Sequence, residues 1–241
     1  CGGSAEIEEE FDTDYVGDVL LHSEQAYLTR VVAAAGCLEV SGEIYLCVLA
    51  KREGESDLVS YERLIPFRAE IPCDEAESGS ACDACVSVSS VNLSAACDED
   101  KNRCRISAQI VVGIRGRVYR SDEVLLPQDA FCPGFKSEIS RGEVLCEEPV
   151  CAFTASERVS GTAAADGAVD FTCNLQASAL CGAQVFAEAS DGEISVEGVL
   201  NAAVFMKNGE GEADCVRISL PFAFPVRSDR AKAGMRAAIT A

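Results

Sequence analysis

The chain of 241 residues contains a single histidine, His22. Ser-His-Asp and Cys-His arrangements are therefore closed unless His22 takes part, and its surroundings, "VLLHSEQAYL", offer no partner for a nucleophile. Long apolar runs are also missing, and without about 18 apolar residues in a row no membrane-spanning helix is expected. Basic residues are scarce: 20 Lys and Arg stand against 40 Asp and Glu, for a net charge of −20. Nucleic acid and anionic lipid are held mainly through Lys and Arg, so neither is an expected partner. Basic protein surfaces fit this charge better; the plainer alternative is that it only keeps a β-rich surface soluble. There is no phosphate-binding glycine loop of the Walker or Rossmann type. Helical signals are weak as well. "SDRAKAGMRAAITA" (228–241) has a capping serine and good helix formers, but Gly234 interrupts it, and it reads as a loop followed by the start of a strand.

What the chain has in abundance is alternation of period two, the signature of half-buried strands. Over residues 38–48, Leu38, Val40, Gly42, Ile44, Leu46 and Val48 share one face, with Glu39, Ser41, Glu43, Tyr45 and Cys47 on the other. In "CRISAQIVVGIRGRVYR" (104–120) the inward set is Ile106, Ala108, Ile110, Val112, Ile114 and Val118, opposite Arg105, Ser107, Gln109, Arg115 and Arg117. Gly113 and Gly116 would permit a bend or bulge there. Antiparallel sheets with one dry and one wet face follow from such a pattern.

The alternation also repeats at long range. "VSGEIYLCVLAK" (40–51) returns as "VEGVLNAAVFMK" (196–207), and the preceding turn glycine, Gly36, returns as Gly192. One residue of slip in the next loop then aligns "YERLIPFRAEI" (61–71) with "VRISLPFAFPV" (216–226). Pro66 and Phe67 fall on Pro221 and Phe222, and only Arg63, opposite Ile218, breaks the apolar match. Two strands, their spacing, a glycine turn and a Pro-Phe pair together favour duplication over coincidence. The second copy reaches Ala241 without a counterpart of the 85–97 and 104–120 segments, so further chain or a partner is expected to complete it. The expected organisation is mostly β, with antiparallel β-sandwich-like modules in tandem and the second copy incomplete. Residues 1–24 form an N-terminal segment, 25–130 the first module, 131–165 a connector with strand character and 166–241 the second module.

Fourteen cysteines are many for a chain of this size. They mark either an oxidising setting with cross-links or a reducing one in which thiols act as small hydrophobes. Spacing does not reveal their pairing. "CDAC" (82–85) with Cys97 and Cys104 has a spacing that a four-thiolate zinc site or a redox pair could use. Against that reading, the second copy has "GMRA" (234–237) near this position, and Asp83 opposes a low thiol pKa. "CEEPVC" (146–151) could close a small disulfide loop or cross-link to neighbours. The candidate cross-linking thiols are Cys1, Cys82, Cys85, Cys132, Cys146 and Cys151. Cys47 of the first copy is Ala203 in the second, so the thiols vary from copy to copy. The first residue, Cys1, suits a lipoprotein cut at its lipidated cysteine or a fragment of a longer chain, and the latter is the favoured expectation. Acidic clusters at Glu6–Glu10 with Asp12 and Asp14, and at Asp98–Asp100, lack the loop pattern of a calcium site and read as solvated charge. No catalytic residue, cofactor or metal is expected.

The stretches "EVSGEIYLCVLAKRE", "LIPFRAEIP", the valine-rich "CVSVSSVNLSAAC" and "ISAQIVVGIRGRVYR" together resemble the SPOCS domain family of spore-forming bacteria, which commonly occurs as tandem repeats. "DAFCPGF" (129–135) is similar to the Asp-Ala-Tyr-Ser-Pro type sequence that follows the domain in many members. The resemblance covers roughly residues 25–135 and 180–241. It implies a structural, protein-binding role in spore-coat assembly rather than catalysis. Other coat proteins or further copies would be its partners, and the spore coat or surface its place after synthesis in the mother-cell cytoplasm. The alternatives are a zinc- or redox-active cysteine domain and a cell-envelope lipoprotein anchored at Cys1.

Overall fold

The computed structural model describes residues 1–14, 16–52, 57–98, 103–120, 169–178, 185–208 and 210–239, with shorter pieces between 122 and 162. Among these the fold is all β, with every strand pair antiparallel. The first module holds β1 (Gly2–Asp14), β2 (Val16–Ala34), β3 (Cys37–Arg52), β4 (Leu58–Pro72), β5 (Cys82–Asp98) and β6 (Arg103–Val118). They form two three-stranded sheets, β1-β6-β5 and β2-β3-β4. β1 lies beside β4 and β5 beside β2, so the sheets meet along both margins.

The central strands carry the core because their alternation is the most regular. Leu38, Val40, Ile44, Leu46 and Val48 of β3 pack in one cluster with Ile106, Ala108, Ile110, Val112 and Ile114 of β6. All ten are essentially fully buried. Burying each Ile, Leu or Val contributes roughly 1.5–3 kcal/mol relative to exposure. Gly42 sits in the same row because a Cβ there would collide with the Tyr27 carbonyl and the Phe67 ring. The expected irregularity at Gly113 or Gly116 falls instead on the partner strand, as a register shift between Val88 and Ser90 of β5. Gly116 serves close approach: a Cβ would strike Leu38 of the facing sheet.

Residues 1–24, expected as a lead-in, are part of this sandwich. β1 pairs with β6 along its whole length, from Gly2 opposite Arg115 to Asp14 opposite Arg103. Ala5, Ile7 and Phe11 join the core on one face. Acidic residues alternate with them on the other, and their density hid the strand period.

The second module contains β7 (Val169–Ser178), β8 (Val185–Ser190), β9 (Glu193–Asn208) and β10 (Ala213–Arg227). β10 and β9 repeat the β4–β3 pairing in the same register: Phe67 lies opposite Gly42, and Phe222 opposite Gly198. The turn is copied to its hydrogen bonds. Gly36 N donates to Ala76 O at 3.0 Å and Cys73 N to Gly36 O at 2.9 Å; Gly192 N donates to Ala231 O at 3.0 Å and Ser228 N to Gly192 O at 3.0 Å. Gly36 and Gly192 both have positive φ, 77° and 80°, which a side chain would disfavour. β7 and β8 both pair with β9, occupying together the place that the single strand β2 takes beside β3. Residues 228–239 form a loop with turns, without the strand start expected there. Most of the 131–165 connector lies outside the described residues, and its described pieces contain no strand.

Candidate functional site

One apolar face of the second sheet is covered only in part: Gly161 lies against Leu220, and Val185 and Ala189 of β8 are buried on that face, but the row along β10 is not. Val216, Ile218, Leu220, Phe222, Phe224 and Val226 alternate along β10, and all stay only half-buried. Phe222 and Phe224 stack with ring centroids 5.9 Å apart. Their first-copy equivalents Ile65, Phe67 and Ile71 are 3%, 5% and 1% exposed, because the sheet β1-β6-β5 lies over them. Arg63, the one break in the repeat, is explained by that covering layer. Its guanidinium sits 4.5 Å from the ring centre of Phe11, a β1 residue. The second copy has no described counterpart of β1, and Ile218 stands at that position.

The opposite face of the second sheet touches the first module. Cys173 of β7 lies directly across from Phe205, on the face away from the Val216–Val226 row. There β7 meets the outer side of the β2-β3 sheet. Ser23 Oγ donates to Leu175 O, Gln25 Nε2 to Ala177 O, and Tyr45 OH to Asn174 O at 3.4 Å. Burial, with Cys47 and Glu62 nearby, raises the Tyr45 pKa and keeps its hydroxyl a neutral donor. Cys47, expected on the wet side of its strand, is buried by this contact, and its Sγ lies 3.0 Å from that of Cys173.

The cysteines singled out by spacing are dispersed. Cys97 and Cys104 form a disulfide across the end of the β5–β6 hairpin, where they are directly opposed with Cα atoms 4.0 Å apart. Cys82 and Cys85 sit at the far end of β5, roughly 40–50 Å away at about 3.3 Å per residue. They are also three positions apart on one strand and so point to opposite faces. Cys82 enters the core while Cys85 is exposed. Burial raises the Cys82 pKa, the reverse of what a redox thiol needs. The four-thiolate zinc site is therefore corrected: its members do not converge, and no group of three or more metal-binding side chains occurs among the described residues. Cys1 is exposed, its amino group donating to Gly116 O at 3.0 Å. Cys151 is half-buried, 3.8 Å from the Ser228 hydroxyl. Cys132 and Cys146 lie outside the described residues, as do Glu99 and Asp100.

The acidic run of β1 is a ladder rather than a cation cage. Asp12 accepts from Arg105 Nε at 2.9 Å, Glu10 from Ser107 at 3.2 Å and Glu8 from Gln109 at 3.3 Å, each across to β6. The hydrogen bond from Arg105 holds the Asp12 pKa below its ordinary value. His22 pairs with Glu24 at 2.9 Å on the exposed side of β2. Sequence reasoning missed two features, the Cys97–Cys104 disulfide and the meeting of Cys47 with Cys173. The first had a signal in two cysteines flanking the polar turn "DEDKNR"; the second joins residues 126 apart and had none.

The class of protein that emerges is an all-β tandem-module chain with an open apolar sheet face. No family model, curated protein or solved structure matches the chain.

Proposed function

We propose that this protein is a non-enzymatic structural or adaptor component that assembles through the open face of its second module. One observation carries the reading. The same strand pair, in the same register, is covered by a second sheet in the first copy and left half-exposed in the second. Burying such a row in water-free contact is favourable at about 25 cal/mol per Å², so a further β layer is the natural complement. Another copy of this chain, or a protein built from the same module, supplies that layer. Assembly by face is favoured over strand addition at the β10 edge. Among the described residues β10 pairs only with β9, and Pro221 and Pro225 leave its other edge without two N–H donors. The resemblance to the SPOCS family supports a setting in spore-coat or spore-surface assembly, with other coat proteins or further copies as partners.

The test is self-association of the full chain, followed by light scattering across a concentration series. The wild type is expected to associate, and Ile218→Asp or Phe222→Asp to hold it monomeric. A wild type that is monomeric throughout, alone and with other coat proteins, would remove this face as an assembly site.

A further inference from the structure

The contact between the modules carries two thiols that nothing in the assembly reading uses. Cys47 and Cys173 are 1% and 3% exposed, with sulfurs 3.0 Å apart. That is longer than the ~2.05 Å of a disulfide, yet no atom separates the two sulfurs. Ser23, Gln25 and Tyr45 hold β7 in place just beyond Cys173 through the carbonyls of Asn174, Leu175 and Ala177. The placement is specific to the docked arrangement. The position of Cys47 is Ala203 in the second copy, which lies on the same face of its sheet as Cys173, so the thiol on that side comes from β7 and not from the repeated position. A cysteine thus stands on each side of this contact between the copies.

We propose that Cys47 and Cys173 are an oxidation site, forming a disulfide that welds the second module onto the first. The oxidant is a peroxide. One thiolate attacks the peroxide O–O bond to give a sulfenic acid and water; the other sulfur attacks the sulfenic sulfur and expels a second water. Two thiols and one hydrogen peroxide become one disulfide and two waters. Burial, and next the hydrogen bond with Cys173, push the Cys47 thiol up to about 12. Docked Cys47 is therefore protonated at neutral pH and slow to react, and oxidation proceeds when β7 lifts briefly and the thiol meets solvent. Closure of β7 then returns the second sulfur to its partner. The weld is independent of whatever covers the second sheet.

The full-length chain is treated with hydrogen peroxide under native conditions, quenched in acid, alkylated in denaturant and digested for mass spectrometry. A Cys47–Cys173 linked peptide is expected at least tenfold above any other pairing of either residue. A second reading uses protease cleavage in the connector between 120 and 169. Oxidised wild type then runs as one band on a non-reducing denaturing gel, and C47A, which carries the residue of the second copy, runs as two. Cys37→Ser and Cys181→Ser leave the linkage in place. Two bands from oxidised wild type, or Cys47 and Cys173 both recovered alkylated, would overturn the proposal. So would linkage of either residue mainly to another cysteine.

Discussion

The β2-β3-β4 sheet and its copy in the second module share a backbone plan and differ in what lies on them. In the first, β3 and β4 bury their inward row beneath β1, β6 and β5, and Leu38, Ile44 and Ile71 lose nearly all exposure. In the second, β9 and β10 keep the register, the glycine turn and the Pro-Phe pair, yet their row remains half-open. Alternation thus sets the shape of the sheet, while burial depends on whether a second layer is present. Residue choice follows the layer. Arg63 is tolerated in the first copy because Phe11 gives its guanidinium an aromatic face, and the open second copy has Ile218 instead. Cys47 and Ala203 differ for a related reason, since only the first of these positions has β7 packed upon it.

The sharpest way to break this comparison is to truncate the matched phenylalanines. Phe67→Ala removes a buried ring and is expected to destabilise the first module by about 3–5 kcal/mol. Phe222→Ala, at the equivalent half-buried position, is expected to cost only about 1–2 kcal/mol in the isolated chain. Urea unfolding of both variants measures the gap. Equal losses would mean that the second face is already covered, and a gap that narrows on self-association would locate the covering layer on Phe222.

A smaller effect comes from the Cys97–Cys104 disulfide, which pins only the first module. Its cysteines are seven residues apart in sequence, so the loop it closes is short. The chain-entropy relation gives about 2 kcal/mol for its removal. Cys97→Ser is expected to lower the unfolding free energy of the first module by that amount, read from its urea midpoint and m-value, and to leave the second unchanged. A matching loss in the second module would show that the two unfold as one cooperative unit.

Much of this architecture was legible because strand period and repeat are local properties. The inward sets of 38–48 and 104–118 are the buried rows of β3 and β6, except that Val118 is only half-buried, while Cys47, expected on the wet face, is buried as well. The β1 strand was obscured because Glu9 occupies its inward row between Ile7 and Phe11, making "EIEEEF" read as a charge run. The zinc spacing misled for a geometric reason. C-x2-C brings two sulfurs together in a turn, whereas on an extended strand residues three apart face opposite ways, as Cys82 and Cys85 do. The Cys47–Cys173 meeting depends on how one module docks on another, which no period in the chain encodes.

The smallest expected effect lies on the exposed ladder between β1 and β6, which among the described residues occurs in the first copy. Arg105 lowers the Asp12 pKa through a hydrogen bond and then by charge. A carboxylate whose folded pKa lies below its unfolded value contributes stability that is complete above the unfolded value, near 4, and is lost as pH falls through the folded one. The first module should therefore lose a little stability in that acidic window, and Arg105→Gln should flatten the slope there without changing it at neutral pH. Because the pair is exposed, added salt should erase most of the difference. Thermal unfolding of wild type and Arg105→Gln between pH 2 and pH 5, at low and high salt, measures it. A slope that survived both the substitution and the salt would belong to other carboxylates and would leave the ladder as solvated charge, no different in kind from the acidic surface of the second copy.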